Sequence, residues 1–213
     1  SSLGINYVFT MLLSLISYSF LMASIYTFMK EKDQGNSTEP LEILKLSLKY
    51  VPDALGLSLL IGVATVLGSI LFFIPGIYLA VTLSVALPAY FFEDISVFEA
   101  FGKAFKLIKN KWWSTAGIIL VTTIIAGVIS YIFILPTYIF MAIDMFSSIE
   151  EGEGDPNQLF ENMNSWYNTL IMAFTMIGGY ITYMIPIIGL SFQYFKLSER
   201  IEKTINLILI ADI

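Results

Sequence analysis

The chain contains no cysteine and no histidine, and only 13% of its 213 residues carry charge. Without cysteine there is no disulfide, no thiolate nucleophile and no sulfur ligand for a metal. Without histidine the commonest general base and transition-metal ligand is gone. Basic excess is lacking too: 11 Lys and Arg stand against 17 Asp and Glu, for a net charge of −6. No basic stripe with interleaved stacking aromatics is present, which argues against nucleic-acid binding. No cofactor and no metal are expected. A water-soluble domain of this length also needs far more charge to cover its surface.

What the chain does have is apolar length, at 57% hydrophobic residues. The charges fall in four blocks, at residues 30–53, 93–111, 144–161 and 196–212, and the runs between them hold none. A charge at mid-bilayer costs ~2.5–3.5 kcal/mol on insertion scales, so this partition predicts a polytopic all-α membrane protein. Five spans are expected, at about 3–29, 53–74, 76–92, 112–143 and 162–195, in a single helical domain covering 1–213. Residues 54–92 are too long for one crossing of a ~30 Å layer and suit a hairpin turning at Pro75-Gly76. Kinks are expected at Pro136 and Pro186.

Three amphipathic segments, about 39–51, 95–111 and 198–210, read as surface helices. In the first, Leu41, Leu44, Leu48 and Val51 recur at helical spacing, with Glu42, Lys45 and Lys49 on another face. Pro52-Asp53 is expected to end it. The second opens on the capping-box pattern Ser96-Val97-Phe98-Glu99, and Trp112-Trp113 anchors it at the interface. Trp166 is a third interfacial anchor. The first three residues lack an initiator Met and the start lacks a leader pattern, so an upstream half-unit, and six spans in the whole protein, are expected. Surface helix, outgoing span and returning span then form a repeated unit.

Ile74-Pro75-Gly76-Ile77-Tyr78-Leu79, Ala86 with Pro88, Glu93 followed by Ser96, Ala104-Phe105-Lys106-Leu107-Ile108-Lys109 and Trp112-Trp113 carry a resemblance. Over roughly residues 53–200 the chain resembles bacterial polytopic proteins grouped around the membrane domain of glycerophosphoryl diester phosphodiesterase. The ending Gln193-Tyr194-Phe195-Lys196-Leu197-Ser198-Glu199-Arg200 is similar to that of stand-alone relatives of the Bacteroidetes type. The resemblance implies a six-span inner-membrane protein. It does not imply phosphodiesterase activity, whose chemistry belongs to a separate soluble barrel domain. With Lys-bearing flanks placed inside, the carboxy terminus is expected in the cytoplasm.

Candidate functional residues are few. Ser58 with Gly62, Ala64 with Gly68, and Gly178-Gly179 offer small-residue faces to another helix backbone. Gly178, Gly179 and Pro186 in one span also suit the broken helices of transporters. Asp144 interrupts an apolar run, as an ion or substrate site would, but it also lies ~48 Å along a straight helix from Trp112, beyond the hydrocarbon. Asp53, Glu93 and Asp94 read as caps and interfacial charges. Glu150, Glu151, Glu153 and Asp155 lack the spacing of a calcium loop. The reading that follows is a non-enzymatic scaffold or accessory subunit whose partners are the lipid bilayer and other integral membrane proteins. The alternative is a transporter or lipid-handling protein with a cavity between repeat units.

Overall fold

A computed structural model describes residues 2–36, 39–71, 73–150 and 166–211. Seven helices account for nearly all of them: α1 Ser2–Asp33, α2 Pro40–Leu71, α3 Phe73–Leu83, α4 Ala86–Glu93, α5 Val97–Ile108, α6 Trp112–Glu150 and α7 Trp166–Ala211. No strand occurs among the described residues. Five stretches are long and apolar enough to cross a membrane: Tyr7–Asp33, Pro40–Ile70, Phe73–Glu93, Trp112–Ile143 and Trp166–Thr204. The chain is all-α, with the helical content a bilayer demands of any crossing segment.

Several boundaries differ from the sequence reading. Pro52 does not separate a surface helix from a span, because α2 runs through it. Ile43, Ser47, Ala54 and Leu57 are buried and fall within an arc of ~80° on both sides of that proline. Continuous packing along one face holds the helix together where the missing N–H and the ring would otherwise break it. The 39–51 segment is thus the first three turns of a long helix rather than a separate one. The 198–210 segment is likewise the end of α7.

Helix α2 ends at Leu71 and α3 has begun by Phe73, so Pro75-Gly76 lies inside the returning helix and not at the turn expected of it. Pro75 is the third residue of α3, where its absent N–H would have no helical partner anyway. Gly76 serves close approach: a Cβ there would sit 2.0 Å from Ser69 Oγ and 2.8 Å from Ser69 Cα. Gly68 is on the other side of the same contact, 3.3 Å from Gly76 Cα by the same construction. Gly62 instead faces open space, and Ser58 and Ala64 are half-buried. The returning arm is itself broken at Ser84-Val85. Pro88 explains this, since it cannot donate to the Ser84 carbonyl and its ring collides with it.

The chain divides into two compact units, Ser1–Leu120 with Ile187–Ile213, and Val121–Pro186. In the first, α1 lies along α2, α2 along α3, and α4 touches α1, α2, α3 and α5. Among the described residues the second is a pair of helix segments from α6 and α7. There Ser130 Oγ donates to Thr182 Oγ1 at 3.0 Å, and Thr137 and Thr175 hydroxyls meet at 3.0 Å. Phe133 stacks at a tilt on Phe174 and Phe140 on Tyr167. The helices run through Pro136 and Pro186.

Within this second unit the adjacent glycines are unequal. A Cβ on Gly178 would meet Phe133 Cγ at 2.0 Å and Cβ at 2.3 Å, whereas one on Gly179 meets nothing within 4 Å. Gly178→Leu should therefore destabilise the pair by ~1–3 kcal/mol, the usual cost of overpacking, and Gly179→Leu should be close to neutral. Denaturant titration of the detergent-solubilised protein checks this, and Phe133→Ala should recover part of the Gly178→Leu loss.

Candidate functional site

The most densely buried part of the first unit is α4. Ala86, Leu87, Pro88, Ala89, Tyr90 and Phe91 are all buried along a helix of only eight residues. It ends because Asp94 adopts φ 52°, ψ 35°, a left-handed conformation that Asp tolerates better than most residues. Consecutive helical residues point ~100° apart, so Tyr90, Phe91 and Phe92 fan out in three directions. Phe91 stacks on Tyr26 of α1 at 5.0 Å and meets Tyr50 of α2 at 5.4 Å. Phe92 stacks on Tyr194 of α7 at 5.5 Å and meets Phe195 at 4.5 Å. Tyr90 meets Tyr50 edge-on at 6.4 Å.

The carboxylates around this aromatic fan are all engaged. Asp53 Oδ2 accepts from the Tyr90 hydroxyl at 2.6 Å. Glu93 accepts from both Lys103 and the Tyr194 hydroxyl. Lys30 Nζ lies 2.5 Å from Asp94 Oδ1 and 5.8 Å from the Tyr50 ring centre. Its side chain is 9% exposed, against 64% for its partner. Asp53, Glu93 and Asp94 are therefore tie points between helices, and Asp94 is also the cap expected of it. None of the three is left as a free general acid or base. No group of three or more metal-ligating side chains occurs among the described residues.

A second buried polar group joins α6 and α7. Gln193 is 1% exposed and its Nε2 donates to Thr115 Oγ1 at 3.0 Å, while its Oε1 has no hydrogen-bond partner. Nearby in the chain, Trp112 donates from Nε1 to the Tyr78 carbonyl at 3.2 Å and stacks on Tyr78 at 6.1 Å. Trp112 is thus half-buried and ties α6 to α3, while Trp113 and Trp166 are 83% and 75% exposed. Asp144 belongs to α6, but its side chain lies outside the described residues, as does the acidic run at 151–161.

The capping box at α5 is present in full. The Ser96 backbone N–H donates to Glu99 Oε2 at 2.8 Å, and the Glu99 N–H donates to Ser96 Oγ at 3.3 Å. The Ser96 hydroxyl also donates to Glu99 Oε2 at 2.8 Å, and the two bonds to the carboxylate, from the Ser96 backbone first and its hydroxyl second, hold the Glu99 carboxyl below the usual range. Tyr26, Lys30, Tyr50, Tyr90 and Phe91 were not singled out in the sequence, and Gln193 and Tyr194 entered it only as part of the resembling ending. The run Tyr90-Phe91-Phe92-Glu93-Asp94 at the end of an apolar stretch was the available signal.

These features define a class: a multi-pass helical membrane protein with five long apolar stretches, in which aromatic and ionic contacts converge on the short helix α4. No protein-family model, no curated protein and no solved structure matches the chain.

Two outcomes follow from this geometry. Asp94→Asn strands the buried Lys30 ammonium and should cost ~3 kcal/mol, the upper end of the range for a buried group that loses its hydrogen-bond partner. Lys30→Met leaves only a well-hydrated carboxylate and should cost less, an asymmetry that melting of the detergent-solubilised variants reads out directly. The second outcome concerns pH. A carboxyl held low in the folded state stabilises it above its ordinary titration range, and that contribution disappears as pH falls through the lowered value. Amide protection in the first turn of α5 should therefore drop in acid, and Glu99→Gln should remove the dependence in hydrogen-exchange measurements.

Proposed function

We propose that this protein is a non-enzymatic scaffold or accessory subunit of a larger assembly in a bacterial inner membrane. The observation that carries the reading is α6. From Ala116 to Ile143 the helix is uncharged, and none of its residues is buried by the chain itself. Gly127, on the same stretch, has nothing within 4 Å of where a Cβ would be, and Gly62 on α2 is equally open. Apolar helices gain nothing hydrophobic by leaving lipid for each other, so bare backbone at a small residue is where a second helix packs best. Each described carboxylate of the α4 cluster is bonded, which favours a structural role over acid–base chemistry. Phe133 fills the space above Gly178, which favours packing there over a transport cavity.

In this reading the Lys-bearing ends of the helices and the carboxy terminus are cytoplasmic, by the positive-inside rule. The resemblance to the membrane domain of glycerophosphoryl diester phosphodiesterase belongs to the same proposal and points to the same compartment. A photo-activated cross-linker placed singly at Ile124 or Val128, both more than half exposed, tests it in living cells. The expected result is one discrete protein adduct that Gly127→Leu suppresses. Lipid adducts alone, with a monomeric photobleaching count, would overturn the scaffold role.

A further inference from the structure

Helix α5 presents three faces, where an ordinary amphipathic helix has two. Ala100, Ala104, Leu107 and Ile108 are buried on one of them. Phe98 and Phe105 lie ~20° apart on a second. They are 80% and 41% exposed, and Trp113, just past the link into α6, is 83% exposed. The third face is polar and carries Lys106, with Lys109 and Lys111 following in the link. None of these three lysines makes an ion pair among the described residues. Lys103 differs, being held by Glu93. Glu99 is bound up in the capping box at the opposite end of the helix, and no carboxylate occurs in the chain between Glu99 and Asp144. The carbonyl end of α5 contributes only ~0.5 of a negative charge, so most of the positive charge is left uncompensated.

We propose that this corner of the molecule, from Phe98 to Trp113, is a docking surface for anionic phospholipid. The exposed rings enter the boundary between headgroups and acyl chains, and Lys106, Lys109 and Lys111 hold the phosphates above them. Charge decides the occupant: an apolar partner helix would match the rings but leave three ammonium groups without counter-charge. The inference needs the membrane placement and is independent of the scaffold reading.

The test uses tryptophan quenching by brominated lipid. The purified full chain bearing Trp166→Phe, so that Trp112 and Trp113 report, is reconstituted into phosphatidylcholine vesicles holding a minority of phosphatidylglycerol. Brominated phosphatidylglycerol should quench as though enriched about fivefold or more around these residues, the factor that one lysine supplies near an anionic surface. The combined Lys106→Gln, Lys109→Gln and Lys111→Gln variant should fall to parity with phosphatidylcholine, and the corresponding Arg variant should keep the enrichment. Parity in the parent protein, or enrichment that survives the Gln variant, would overturn the proposal. So would an absence of quenching by either lipid, since the surface would then be covered by protein.

Discussion

A backbone amide stranded in hydrocarbon costs several kcal/mol, so every crossing segment must satisfy its own N–H and C=O groups. The placement of proline shows how this chain meets that demand. Pro40, Pro75 and Pro88 stand in the first turns of α2, α3 and α4, where a missing donor removes no helical bond. Pro52, Pro136 and Pro186 lie in helix interiors and each leaves a carbonyl one turn back without its usual amide. At Pro52 a continuous buried face compensates. Near the other two, hydroxyls crowd the helix pair: Thr182 donates to the Gly178 carbonyl at 2.9 Å, and Thr175 Oγ1 lies 3.1 Å from the Phe133 carbonyl. The carbonyls that Pro136 and Pro186 themselves leave without an amide are those of Ile132 and Thr182, four residues back.

Pro88 has the larger consequence. By ending α3 at Leu83 it frees Ala86–Glu93 to form a separate, largely buried helix. Had the returning arm stayed one straight helix, Tyr90, Phe91 and Phe92 would follow the direction of α3. As a separate element, α4 brings them against α1, α2 and α7, and sets Glu93 and Asp94 beside Lys103 and Lys30. An aromatic pair contributes ~0.5–1.5 kcal/mol beyond its buried area, so the fan is a substantial tie for so short a helix. The ionic contacts then fix its end.

The five apolar runs were legible because charge is costly in lipid and the chain keeps its charges to a few blocks. The α5 start was legible because a capping box is a local device, complete within four residues. Other features depend on partners distant in the chain. Pro52 reads locally as a stop, and only the shared buried face of Ile43, Ser47, Ala54 and Leu57 shows why the helix continues. Gly68 and Gly62 look alike in sequence, yet one meets the backbone of Gly76 and the other meets nothing. Gly178 and Gly179 differ for the same reason, being ~100° apart on their helix so that only one faces Phe133. The convergence on α4 was hidden because Lys30 and Asp94, or Glu93 and Tyr194, are far apart in sequence and a single chain carries no sign of the pairing.

The two compact units are held by different physics, and the distribution of charge explains why. The first unit includes the lysine-bearing helix ends, where ion pairs and tyrosine hydroxyls can form without the full penalty of mid-bilayer charge. The described helices of the second are uncharged from Val121 to Ile143 and from Trp166 to Pro186. Their contacts are hydroxyl pairs, ring contacts and the seating of Phe133 over Gly178. Interhelical hydrogen bonds in membranes average only ~0.6 kcal/mol, so each such pair adds little by itself. Close packing at one glycine must supply much of the rest. The apolar surface that the described residues leave exposed on this pair gains cohesion from van der Waals contact with whatever lies around it. That makes the α6–α7 pair the part of this protein most responsive to a packed neighbour, whether lipid or helix.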